Sequence, residues 1–199
     1  MSCQSFNLRS VWDNWVRWHP QVLCIVVLGM ALGCSRGKLG SEGALADAGS
    51  AAQTLFEQTS KQFHIPSAEA TGPERLRLQE QAINGYRQLL RQYPREEYWA
   101  AQALRSLGNI CAARTNLDLA LTYFGDVEKC YPQQHWQVLM AWKSAADLLW
   151  DSGRRAEAQQ FYAKIVSNFD SPDAAQVIKM VVRGSRLRLG SDGTGSASG

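Results

Sequence analysis

The stretches "AINGYRQLLRQYP" (Ala82–Pro94), "ALTYFGDVEKCYP" (Ala120–Pro132) and "AQQFYAKIVSNFD" (Ala158–Asp170) align without a gap. Ala82, Ala120 and Ala158 recur every 38 residues. So do Tyr86, Phe124 and Tyr162, then Leu89, Val127 and Ile165, then Tyr93, Tyr131 and Phe169. Pro94 and Pro132 close two copies, and Asp170 takes that place in the third. A small residue, an aromatic four later and an aliphatic three later again share one helix face. Such a face repeated at a fixed period marks stacked supersecondary units, each burying its apolar side on the next.

The half-unit upstream completes the pattern. The middle copy has Leu104, Leu107-Gly108 and Cys111 before Ala120, Phe124 and Pro132. The third has Trp142, Ala145-Ala146 and Leu149 before Ala158 and Tyr162. Over roughly Glu74 to Asp170 the chain thus resembles the tetratricopeptide-repeat family, whose pattern is W-x2-L-G-x2-Y, then A-x3-F, then P. The resemblance implies an all-α, tetratricopeptide-like α-solenoid of stacked antiparallel helix pairs, about seven helices in all. Gly108 against Ala120, and Ala146 against Ala158, are expected to let paired helices approach closely. The period exceeds the family's ~34 residues. The extra residues are expected to lengthen each first helix, around Arg95-Glu96-Glu97 and Gln133-Gln134-His135. The first copy is degenerate, because Pro66, Gly72 and Pro73 interrupt its first helix.

Periodicity and punctuation predict helices near 48–64, 73–93, 96–114, 117–131, 134–152, 154–169 and 172–188. Gly72-Pro73-Glu74 and Ser171-Pro172-Asp173 read as helix starts. Asp151-Ser152-Gly153 closes one helix and opens the next. The last helix carries Ile178, Val181, Val182 and Leu187 beside Lys179, Arg183, Arg186 and Arg188. It reads as an amphipathic terminal cap with a basic outer face.

The N-terminus follows a different logic. Arg9 and Arg17 precede the apolar run Val22–Leu32, and small residues Ala31 and Gly33 stand ahead of Cys34. That is the arrangement of an export signal over residues 1–33. A spanning helix needs about 20 apolar residues, and Pro20-Gln21 block extension of this run upstream. Trp12, Trp15 and Trp18 are suited to a membrane interface. "ALGC" resembles a bacterial lipobox, with Ala31 where that family prefers leucine. The resemblance implies diacylation of the Cys34 sulfur and acylation of its amine, a stable membrane anchor. Ordinary signal-peptidase cleavage and an uncleaved anchor are the alternatives. The remaining organisation is then an acylated Cys and flexible tether over 34–50, a helical repeat domain over 51–189 and a disordered Gly/Ser tail over 190–199.

A formal charge of +3 with 20% charged residues is a globular balance and gives no reason to expect a nucleic-acid partner. Cys111 and Cys130 would lie roughly 15–18 Å apart along a helical hairpin, too far for a bond that needs Cα atoms within about 7 Å. Both are expected to be free, buried thiols. His64 and His135 have no metal-ligand partner at helical spacing, and there is no Cys-x-x-Cys, P-loop or dinucleotide fingerprint. No catalytic residue, metal site or cofactor is expected, and the protein is expected not to be an enzyme.

Stacked helix pairs offer instead the concave face of their first helices. Setting aside packing positions leaves Gln102, Arg105 and Asn109, then Met140, Lys143, Asp147 and Trp150, as candidate partner-binding residues. Arg105 and Asn109 weakly resemble the pair with which some tetratricopeptide domains grip a peptide carboxylate, whereas Asp147 brings the wrong charge. Trp150 would be an apolar anchor. The class also includes the lipoprotein subunit of the β-barrel assembly machine and the periplasmic partner of the Tol-Pal system. The resemblance therefore implies a lipid-anchored envelope scaffold that binds envelope proteins or peptides, in outer-membrane assembly or envelope organisation. The alternative is a substrate-recruiting accessory subunit of an envelope enzyme or secretion system. Ser35 is not the Asp that retains many enterobacterial lipoproteins in the inner membrane. That favours the periplasmic face of the outer membrane, with the inner membrane as the alternative.

Overall fold

The computed structural model describes residues 41–190, and among them every regular element is helical. The expected signal, Cys34 and the final tail lie outside the described residues. α1 (Ser41–Thr59) continues through a π-helical turn (Ser60–His64) into the short α2 (Ile65–Glu69). Then come α3 (Gly72–Gln92), α4 (Glu97–Ala113), α5 (Leu117–Cys130), α6 (His135–Asp151), α7 (Arg155–Phe169) and α8 (Gln176–Gly190). Counting the unbroken 41–69 segment once, this makes seven helical bodies, as the repeat pattern predicts.

Each helix packs on its neighbour in sequence from α3 to α8, and α4 also packs on α6. That last contact joins the first helices of consecutive pairs and defines a stacked repeat. The 38-residue skeleton forms the core. Ala82, Ala120, Ala158, Tyr86, Leu89, Val127 and Ile165 are fully enclosed, and Phe124 and Tyr162 nearly so. Tyr93, Tyr131 and Phe169 pack at its edge. Leu104, Leu107, Cys111, Trp142, Ala145 and Leu149 supply the matching face of the first helices. The added residues do lengthen those helices, since α4 and α6 are each 17 residues long.

Four expectations change at the ends and joints. Ser41–Ser50 is helical rather than a tether; Ala44, Leu45, Ala46 and Ala48 are strong helix formers interspersed among the glycines. Pro66 does not end the first helix. Its ring crowds the preceding turn, but the π turn is one residue wider, with the Ile65 N–H bonded to Ser60 O. The last helix starts at Gln176, not 172. Ser171-Pro172-Asp173 forms a turn in which Ala174 N–H donates to Ser171 O at 3.1 Å, and Ala175 O receives the first helical bonds. The same helix runs one residue past 189, to Gly190.

Gly108 is a close-approach residue, and the atoms nearest to it belong to Phe124. A Cβ there would stand 2.5 Å from Phe124 Cε1, so the ring occupies the space a side chain would need. The turns inside the second and third pairs also correspond. Thr115 and Gly153, 38 residues apart, both take positive φ, +60° and +82°. Glycine does this freely, while a β-branched residue is strained there.

Polar ties fasten adjacent pairs. Arg114 donates from Nε to Gln79 Oε1 at 2.9 Å, from one Nη to Glu80 at 3.1 Å and from the other to Leu76 O at 3.1 Å. Glu128 accepts from Trp142 Nε1 at 2.8 Å and from Lys164 Nζ at 2.6 Å, and that ammonium lies 4.3 Å from the Trp142 ring centre. Each tie joins residues of different helix pairs, so stacking is fixed by directional bonds as well as by apolar area.

Cys111 is a free, buried thiol, and burial raises its pKa. Cys130 is disulfide-bonded, which corrects the expectation of two free thiols. The distance argument excluded only the Cys111–Cys130 pairing, and it carried no information about any other cysteine.

Candidate functional site

The face formed by the first helices begins at two equivalent corners. Proline cannot continue a helix, so Tyr93 and Tyr131 close α3 and α5 just before Pro94 and Pro132. Glu96 N–H then bonds Tyr93 O at 3.2 Å, and Gln134 N–H bonds Tyr131 O at 3.0 Å. The corners are joined: Tyr131 Oη donates to Pro94 O at 3.2 Å and Gln134 Nε2 to Glu97 Oε2 at 3.2 Å. α4 and α6 therefore start in step.

From there two rows run along the helices. On α4, Tyr98, Gln102, Arg105 and Asn109 follow at intervals of four, three and four. On α6, Trp136, Met140, Lys143, Asp147 and Trp150 do the same and add one further step. That spacing places each row on one helix face.

The α4 row is the more open. Asn109 is exposed and Gln102 half-buried. Arg105 is half-buried, and its Nε is enclosed with no hydrogen-bond partner among the described residues. Burial lowers the Arg105 pKa, while the nearby Tyr98 opposes that shift. A charged donor enclosed without an acceptor is costly, so this position is suited to an acceptor from outside. Gln137 on α6 is a second such group. It is 1% exposed, and neither its amide nitrogen nor its oxygen has a partner among the described residues.

The α6 row is largely committed to the protein itself. Lys143 Nζ bonds Asp147 Oδ2 at 2.5 Å, and the other Asp147 oxygen accepts from Tyr162 Oη at 2.8 Å. Burial, and then the Asp147 bond, push the Tyr162 pKa well up. Trp150 packs edge-on against Tyr162, with centroids 6.1 Å apart. The guanidinium carbons of Arg155 and Arg188 lie 5.1 and 4.7 Å from its ring centre. The expected apolar anchor is thus covered by two cations. Asp147 and Trp150 hold α6 to α7 and α8, with Lys143 bonded to Asp147 on α6 itself, whereas Met140 stays half-buried without that role.

Two residues of this face were not among the sequence candidates. Tyr98 and Trp136 are 46% and 38% exposed. They sit 38 residues apart, one turn before Gln102 and Met140, in the turn that the longer period adds. The signal was present in the sequence: an aromatic pair recurring at the repeat spacing but outside the packing pattern.

Surface depressions lie elsewhere, along the polar side of α1 and the π turn at Gln53, Glu57 and Lys61, and between Leu76 and Arg114. Among the described residues no group of three His, Cys, Asp or Glu is placed to hold a metal. No described helix is long and apolar enough to cross a membrane. No protein-family model matches the chain, and no curated protein or solved structure matches it.

Proposed function

We propose that this protein is a non-catalytic, lipid-anchored scaffold of a bacterial cell envelope that binds a protein or peptide partner across α4 and α6. The observation that carries the binding reading is Arg105, whose enclosed Nε lacks an acceptor in a row headed by exposed Tyr98. A carboxylate of the partner would meet the guanidinium, and an apolar side chain would lie against Tyr98 and Trp136, aromatic groups of the kind that dominate binding faces. The likeness to tetratricopeptide proteins supports the reading and is carried by the repeat residues alone. The lipobox-like Ala31-Leu32-Gly33-Cys34 supports the anchor, on the reading that the Cys34 sulfur carries the acyl group and is not the disulfide partner of Cys130, and Ser35 supports placement at the outer membrane.

The test uses a photo-crosslinking amino acid at Tyr98 or Trp136 of the full chain in the native envelope. One discrete adduct is expected from both positions. Arg105→Gln should weaken it about tenfold or more, since a lost charge-assisted contact is worth roughly 1.5–3 kcal/mol. Diffuse crosslinking at both sites, or an adduct indifferent to Arg105→Gln, rejects the binding face. Separately, Cys34→Ala should move the protein to the aqueous phase on detergent partitioning. Retention in the detergent phase after signal removal rejects the anchor.

A further inference from the structure

α8 has the register of a first helix. Ile178, Val181, Val182 and Ser185 repeat the spacing of Leu104, Leu107, Gly108 and Cys111, and of Trp142, Ala145, Ala146 and Leu149. On that alignment Val177 corresponds to Ala103 and Ala141, which are fully buried, and Met180 to Ser106, which is also buried. Gly184 corresponds to Ile110, 1% exposed, and on α6 the counterparts of Met180 and Gly184 are the half-buried Ser144 and Leu148. α4 has a helix pair's second member and a following first helix packed on it; among the described residues α8 has only α7 in close packing. The counterparts on α8 are accordingly open. Val177 is 49% and Met180 65% exposed, and a Cβ on Gly184 would meet nothing within 4 Å; Leu187, whose counterparts Ala113 and Asp151 are themselves exposed, is 68% exposed.

Val177, Met180, Gly184 and Leu187 fall at i, i+3, i+7 and i+10, the seam spacing of one helix packed on another. Lys179, Arg183 and Arg186 flank the seam on one side and Arg188 on the other, and α8 contains no Asp or Glu. Two of these cations also serve the fold: Arg186 pairs with Asp170, and Arg188 lies on Trp150. A second copy of α8 would bring like charges together. We infer that this end of the stack docks an amphipathic helix of another protein, with an apolar seam bordered by Asp or Glu. The glycine gap between Met180 and Leu187 favours a helix over a lipid surface, because it admits a protruding side chain at close approach. The surface is separate from the Arg105 face, so either may fail without the other.

The experiment uses the full chain in detergent and a labelled synthetic helix with leucine at heptad positions a and d and glutamate at e and g. A counterpart with lysine at e and g is the control. Anisotropy should show saturable binding of the glutamate peptide, at least roughly tenfold tighter than the lysine peptide, and weaker as salt is raised. Leu187→Asp and Met180→Asp should each remove it. Both side chains are mostly exposed, so an unchanged thermal melt shows that the variants are folded; Met180→Leu, which keeps the apolar seam, should retain binding. No saturable binding, or equal binding of both peptides, overturns the proposal. So does an unliganded dimer in sedimentation that Leu187→Asp dissolves. Binding to phosphatidylglycerol vesicles lost in Leu187→Asp, with no peptide binding, assigns the seam to a membrane and also overturns it.

Discussion

The second and third helix pairs share a buried skeleton and differ on almost everything around it. Position for position, Leu104 and Trp142, Ala120 and Ala158, and Val127 and Ile165 do the same packing. Yet Gly108 faces Ala146, Thr115 faces Gly153, and Asn109 faces Asp147 across the repeat. The second pair leaves Tyr98 and Asn109 of its first-helix row exposed and Arg105 Nε without a partner among the described residues. The third ties its row inward through Lys143, Asp147, Tyr162 and Trp150. The comparison separates what the fold requires, which recurs, from what is free to be used for binding, which does not.

The largest effect should come from the joint that only the second pair has. Phe124→Ala removes a ring that Gly108 was shaped to admit, and should cost about 3–5 kcal/mol in urea unfolding. Gly108→Ala alone forces the new methyl into that ring. Overpacking of about 1–3 kcal/mol should exceed the ~1 kcal/mol helix-propensity gain. In the Phe124→Ala background the clash is gone, so Gly108→Ala should become stabilising. If Gly108→Ala destabilises equally in both backgrounds, close approach to Phe124 is not why glycine is there.

Much of this was legible in the sequence because the 38-residue period samples the same packing position more than once. Tyr86, Phe124 and Tyr162 could hardly recur so without sharing a core. Positions sampled once were misjudged. Pro66 reads as a break because a π turn leaves no periodic trace, and the helix over Ser41–Ser50 is hidden by glycines that composition alone reads as linker. On the face of the first helices Asn109 is exposed and the other six candidates are half-buried, and spacing along one helix cannot show that Trp150 is covered by Arg188, which lies 38 residues later on another helix. Tyr98 and Trp136 were missed because they lie in the added turn, outside the family pattern.

A smaller effect should appear at the turns. Thr115 holds φ +60° where Gly153 holds +82°, and a non-glycine residue in this region costs roughly 1–2 kcal/mol. Thr115→Gly relieves that strain but loosens the unfolded chain and loses the 2.6 Å bond from Thr115 Oγ1 to Arg114 O. The expected net gain is about 0.5–1 kcal/mol. Gly153→Ala should move the other way by about 1 kcal/mol. Thermal unfolding of the two single variants and their double measures the swap; changes of the same sign would show that the turns are not equivalent.

The smallest effect extends the comparison to the first pair, where Tyr86 takes the place of Phe124 and Tyr162. Its hydroxyl lies 2.9 Å from His64 Nδ1, whereas that of Tyr162 meets a carboxylate. Burial holds the His64 pKa below its ordinary value, so the folded chain takes up this proton later than the unfolded chain as pH falls. The unfolded state then binds more protons, and stability drops once pH passes below about 6.5, the ordinary histidine value. Above that pH both states are neutral and His64 contributes no slope. His64→Gln keeps a hydrogen-bonding group beside Tyr86 but does not titrate. Urea midpoints should therefore fall less between pH 7.5 and 5.5 in this variant than in the parent chain. Equal falls would mean that His64 is as free to protonate in the folded protein as in the unfolded one, and that the first pair's tyrosine is held by packing on Phe56, 5.3 Å away between ring centres, rather than by the imidazole.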